Sequence, residues 1–201
     1  LSTQLLERIS AAPGVRAAAL SNPALLSGSV NSTSIYVQGR VYEAGRRDLD
    51  NSINRLVIST NFFETMAIPM ALGRGFNTRD NETAPKVVVI NEAAAKKYFP
   101  NGNPIGQHFG SSPETTGQLE IVGVLRDAKY DSVRDAAPPS MYVSNPQTRL
   151  GNAVFEVRTA GEPASVTSAI REGVRQIDPN MPVSNVSTQL EQVEGRFLQE
   201  K

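Results

Sequence analysis

The sequence predicts an α+β domain, and three observations carry that reading. Apolar runs of strand length recur through the middle of the chain, and amphipathic helical patterns stand near both ends. Eight of the 13 prolines fall between residues 67 and 146, where they punctuate the short strands. Together these predict one unit of mixed strands and helices built from both chain ends, residues 1–66 and 146–201, with a second α/β unit of residues 67–145 inserted into it.

Taken in order, residues 1–12 place Leu1, Leu5, Leu6 and Ile9 on one helical face, and Pro13-Gly14 stops that helix before a strand over residues 15–20. Ile35, Val37 and Val41 alternate with Tyr36, Gln38 and Arg40 as a strand does, and residues 53–58 form a short apolar run. Further strands are expected over 87–90, 119–125 and 141–143. An alanine-rich helix opens at Asn91, a suitable N-cap, carries Lys96 and Lys97 in its last turns and stops at Pro100.

In the last third, Ala153, Phe155 and Val157 alternate with Glu156 and Arg158 as a half-buried strand. Val166, Ile170, Val174 and Ile177 then recur at helical spacing up to Asp178-Pro179, and a strand is expected over 183–186. Thr188 and Glu191 have the spacing of a capping box, opening a helix with Leu190, Val193, Phe197 and Leu198 on its apolar side. Helix, proline-marked turn and strand thus occur at both ends, a weak pseudo-repeat.

Composition narrows the function. Hydrophobic residues make up 39% of the chain and charged residues 20%, enough for an ordinary buried core. Basic and acidic residues number 20 each, so no charge bias points to nucleic acid or an anionic membrane surface. The absence of cysteine excludes disulfides and thiolate metal sites. No apolar run approaches the roughly 18 residues a membrane span needs. The chain starts and stops inside helix-like patterns, so it is expected to be a segment of something longer.

Catalytic signatures are missing. His108 is the single histidine, and neither a nucleophile elbow nor a second imidazole accompanies it, so it is expected to be a turn or strand-edge residue. Gly73-Arg74-Gly75 lacks the rest of any phosphate-loop pattern and reads as a positive-φ turn between short strands. Asp127, Asp131 and Asp135 are interleaved with Arg126, Lys129 and Arg134, which reads as a solvated, self-paired face and lacks the calcium-loop pattern. The expectation is a protein that is not an enzyme, with no catalytic, metal or cofactor-binding residues and no cofactor.

Three stretches, STNFFETMAIPMALGRGFNTRD (59–80), VVVINEAAAKKYFPNGNPIGQHFG (87–110) and LEIVGVLRDAKYDSVRDAAPPSMYVS (119–144), resemble the MacB-like periplasmic core domain of FtsX-type ABC transporter permeases, particularly the duplicated permeases. The first matches through Phe62, Phe63, Met66, Ile68, Pro69, Gly73, Arg74 and Phe76. The second matches through Val89, Ile90, Asn91, Glu92, Phe99, Pro100, Asn103, Pro104, Ile105 and Gly106, and the third through the strand at residues 121–124. Ala67 stands where the family often has glycine, and Gln107-His108-Phe109 replaces a usually basic, isoleucine-ended segment.

The resemblance implies a porter-like subdomain from both chain ends and an inserted Sabre-like subdomain. It also implies an extracytoplasmic (periplasmic) domain of an inner-membrane permease that couples cytoplasmic ATP hydrolysis to movements outside the membrane, in export or efflux. Its partners would be the transmembrane helices and ATPase domain of the same transporter, a second copy or tandem repeat, and a periplasmic adaptor or lipoprotein. The alternative is a ligand-binding or sensing module for a peptide or lipid, which would carry a cleft between the two units.

Overall fold

The structure is a computed structural model that describes residues 2–42, 51–128, 135–148 and 153–199, with side chains of the last segment up to residue 195. Helix α1 (Ser2–Ser10) buries the i, i+4 pair Leu5 and Ile9 and gives way, through Gly14 at φ +85°, to strand β1 (Val15–Asn22). Next come β2 (Ser32–Ser34), β3 (Tyr36–Val37), β4 (Ser52–Ile58), helix α2 (Phe62–Met66) and β5 (Met70–Gly73). The middle holds β6 (Val87–Asn91), α3 (Glu92–Tyr98), β7 (His108–Gly110), β8 (Leu119–Leu125) and β9 (Ser140–Ser144). The chain continues with β10 (Val154–Thr159), α4 (Pro163–Ile177) and α5 (Gln189–Gln199).

One mixed sheet of ten strands joins them, in the order β10-β1-β4-β9-β6-β8-β7-β3, with β2 on β4 and β5 on β8. The pairs β4/β9 and β6/β8 are parallel, and the others are antiparallel. Segments β2 and β3 are nearly continuous in sequence, yet β2 lies on β4 while β3 lies on β7. The chain therefore closes the path from β4 through β9, β6, β8 and β7 back to β4, and this part of the sheet curls into a small barrel.

The barrel interior is apolar, filled by Ile35, Ile53, Val88, Phe109, Ile121 and Met141 among others. Helix α3 closes one end. Asn91 fixes it there: its Oδ1 accepts from the N–H of Ala94 (3.0 Å) and of Ser140 (2.8 Å), while its Nδ2 donates to the Pro138 carbonyl (2.9 Å). The N-cap read from the sequence thus also ties α3 to the start of β9. At the other end of the helix the Tyr98 hydroxyl donates to the Ser52 carbonyl at the start of β4 (2.6 Å).

A second core lies on the opposite face of the strands, where Leu56, Ile58 and Tyr142 meet Phe62, Phe63 and Phe76. Phe63 lies edge-on to Tyr142, centroids 5.3 Å apart, and stacks with Phe76 at 5.9 Å. These arrangements explain why residues 87–91 read as an unbroken apolar run: β6 is buried along its whole length, between two cores.

Several expectations change. Residues 183–186 form no strand: Asn185 takes φ +54°, which breaks the extended run, and Val186 is 53% exposed. The pseudo-repeat therefore lacks its second strand. Val41 does not continue the inward row of Ile35 and Val37 but is 98% exposed beyond β3. On α5 the capping box forms, with Glu191 Oε2 accepting from the Thr188 N–H (2.6 Å) and Thr188 Oγ1 from the Glu191 N–H (3.2 Å), yet Leu190 faces solvent. Leu1 and the side chains of Phe197 and Leu198 lie outside the described residues.

The strand at 154–159 differs in a more consequential way. The alternation places Glu156 on a solvated face, and Val154 and Arg158 on that face are exposed, but α2 packs against β10, Arg158 Nε donates to the Thr65 carbonyl (2.9 Å), and one carboxylate oxygen of Glu156 is buried.

Candidate functional site

Among the described residues, the end of the barrel opposite α3 is open. It leads into a groove of about 570 Å³ bordered by residues 30–34, Arg55, Lys86, residues 109–111, Gln118, Leu119, Met141, Val143 and Thr148. The walls thus come from the N-terminal portion, the middle and the stretch just after β9. Behind the groove lie the buried core residues Phe109, Met141 and Val143; the apolar surface it presents comes from exposed Val30 and partly buried Leu119, and its rim is polar, with Asn31, Ser32, Thr33, Ser34, Ser111 and Gln118.

Arg55 is the unusual member. It occupies the inward row of β4 between Ile53 and Val57, both of which fill the barrel. Its side chain is half-buried, and burial lowers the pKa of its guanidinium from the ordinary value. Lys86 stands exposed at the rim, just before β6. Among the described residues neither side chain makes a hydrogen bond or ion pair, and no carboxylate lines the groove. A signal exists in the sequence: Asn54 and Arg55 interrupt the apolar run 53–58, and the strand period puts Arg55 on the same side as Ile53 and Val57.

The residues singled out in the sequence are not brought together. His108 sits on β7, its carbonyl accepting from the Gln38 N–H (3.0 Å) as a ladder contact. Gly73 has φ +68° and pairs with Gly123; a Cβ on either would lie within 2.3 Å of a backbone oxygen, so the two strands approach at a distance only glycines allow. Between Gly73 and Gly75, Arg74 holds Asp80 in a two-pronged ion pair (2.7 and 3.0 Å), and the Asn77 N–H donates to the same carboxylate (2.8 Å). Burial raises the Asp80 pKa, but the Arg74 hydrogen bond, the Asn77 N–H and the Arg74 charge outweigh it, leaving a net lowering. Arg74 is committed to structure, pinning the loop after β5.

Asp127 accepts from the Ala93 N–H (3.0 Å) and Arg126 pairs with Glu92 (2.7 Å), so this charged cluster secures the first turn of α3. Asp135 is exposed, and Lys129, Asp131 and Arg134 lie outside the described residues. Lys96 and Lys97 occupy the last turn of α3, with Lys97 Nζ 5.1 Å from the centre of the Tyr98 ring. Among the described residues no three histidine, cysteine or carboxylate side chains are grouped to hold a metal ion. No helix among them is long and apolar enough to cross a membrane.

Comparisons with known proteins agree on one group. A family model described as the MacB-like periplasmic core domain matches residues 3–193. The crystal structure of the periplasmic region of MacB from Actinobacillus actinomycetemcomitans is similar at a TM-score of 0.61, with 15% identity, over 87% of this chain and 73% of that one. The extracellular domain of the noncanonic ABC-type transporter YknZ from Gram-positive bacteria is similar at 0.56, with 20% identity, over 88% of this chain and 82% of that one. At such identities these likenesses speak to the fold. No curated protein matches the sequence.

Proposed function

Since the chain belongs to the MacB-like periplasmic core domain family, the periplasmic domain of ABC transporter permeases, we propose that it transmits movement: ATP-driven displacement of the membrane helices is passed to this domain, which acts outside the inner membrane in export or efflux. The ATPase belongs elsewhere in such a transporter, and this domain makes and breaks no bonds. Its working partners are then the membrane helices and ATPase of the same transporter. A second copy or tandem repeat, and an adaptor or lipoprotein on the outer side, are the further contacts of such a role.

The observation that carries this reading is the unbroken mechanical path from α1 into the sheet. Leu5 and Ile9 are 4% and 3% exposed, α1 packs on both β1 and α4, and Arg8 donates to Gln176. From β1 the hydrogen-bonded ladder runs through β4 into β9 and the barrel. We assign residues 1–66 and 146–201 to a porter-like subdomain and 67–145 to a Sabre-like one. Pairing of β10 with β1 supports grouping the two ends, while the parallel pairing of β4 with β9 ties that unit firmly to the insert. A displaced α1 therefore moves the whole sheet instead of opening a hinge within it.

The chain has no cysteine, so a single Val154→Cys on the exposed edge of β10 can carry a unique spin label in the intact transporter, provided the other parts are made cysteine-free. The distance between paired labels is expected to change between the nucleotide-free and ATP-trapped states. An unchanged distance in a transporter that still hydrolyses ATP rules the mechanical role out.

A further inference from the structure

We propose that the open mouth of the barrel is a binding site for a small amphiphilic anion, its phosphoryl or carboxylate head held by Arg55 and Lys86 and its apolar part lying against Val30 and Leu119. The inference stands apart from the mechanical role and would survive its failure.

Four features support it. A groove of about 570 Å³ falls within the range of roughly 300–1,000 Å³ that small-molecule sites occupy. It holds two cations and no carboxylate in a chain whose net charge is zero, so the positive potential is local to the groove and is focused by its low-dielectric walls. Arg55 has no partner among the described residues although half of its surroundings are protein, and a half-buried guanidinium without a counter-ion is costly. An oxyanion relieves that cost, because the planar fork of arginine binds phosphoryl and carboxylate oxygens two at a time. Finally, exposed Val30 and partly buried Leu119 border the groove beside its polar rim, so an apolar chain attached to the anion has a surface to cover that a purely hydrophilic anion would leave in water.

The barrel explains why such a residue can exist there. Had β4 lain in a flat sheet with one face open, Arg55 would reach solvent freely. The return of β2 onto β4 and of β3 onto β7 partly encloses it instead, and its side chain borders the groove.

The test is titration calorimetry on this chain with octyl phosphate, octanoate, inorganic phosphate and octyl glucoside, each below its micelle concentration. Octyl phosphate or octanoate is expected to bind saturably below about 1 mM. Arg55→Gln should weaken that binding at least about tenfold and Lys86→Gln about threefold, while Lys97→Gln on α3 should leave it unchanged. Lys86 is exposed and outside the sheet, so its variant remains informative even if Arg55→Gln perturbs folding. Which of the two anions binds more tightly identifies the head group as phosphoryl or carboxylate. Octyl glucoside binding as well as the anions, inorganic phosphate binding as tightly as octyl phosphate, no saturable binding of either amphiphile, or unaltered affinity in the Lys86 variant each overturns the proposal.

Discussion

Replacing Glu156 by glutamine should change the pH dependence of stability. The carboxyl group is enclosed between β1 and α2: the Ser21 hydroxyl donates to Oε1, and Oε2 is buried with no partner. Burial dominates over the Ser21 and backbone hydrogen bonds and raises its pKa from 4.5 to about 7. Arg158, the nearest cation along the same face of β10, spends its Nε on the Thr65 carbonyl. The folded state therefore holds the Glu156 proton more tightly than the unfolded chain does.

The sign follows from that difference. The contribution is full below pH 4.5, where both states are protonated, and is lost as pH rises toward 7; above that the ionised group sits in the folded state at a cost. At about 1.4 kcal/mol per tenfold change, the interval from 4.5 to about 7 corresponds to about 3 kcal/mol. A glutamine keeps the shape and an acceptor for Ser21 but does not titrate. In urea unfolding followed by far-UV circular dichroism, Glu156→Gln should match the parent protein at about pH 5 to within roughly 1 kcal/mol and exceed it by about 3 kcal/mol at about pH 8. Subtracting the two curves cancels whatever is common to both proteins. Parallel curves across this window would refute the argument and place the carboxylate in a better-solvated position than the packing indicates.

Two further substitutions test the backbone. Ala67 closes α2 in the left-handed region at φ +54°, ψ +41°, so Ala67→Gly should raise the unfolding free energy by about 1 kcal/mol, the relief of left-handed strain less the added freedom of the unfolded chain; a loss of stability by urea titration contradicts this. Gly123→Ala should instead cost about 3 kcal/mol or more, because its Cβ would lie 2.2 Å from the Arg74 carbonyl oxygen and force β5 away from β8; an unchanged urea midpoint refutes the close approach.

Local signals were legible wherever one stretch of chain settles its own conformation. The pair Leu5 and Ile9 on α1, the unbroken apolar run of β6, the capping box of Thr188 and Glu191, and the N-cap at Asn91 all follow from spacing and side-chain chemistry within a few residues. Their order, with the proline-rich middle, was enough to indicate the mixed α/β class. The resemblance over residues 59–144 supplied the family.

What the sequence could not decide is which faces become covered. Glu156 and Arg55 carry the same strand-like alternation as any half-buried position, and only the packing of α2 on β10, and the return of β2 and β3 across the barrel, turn those positions inward. Conversely, residues 183–186 have strand composition but no strand, since a strand exists through its ladder and this segment, broken at Asn185, pairs with no strand among the described residues. A helix closes its hydrogen bonds within itself, so its pattern can be read locally; a sheet closes them between distant segments, so pairing, enclosure and the groove that results were decided only by the tertiary structure.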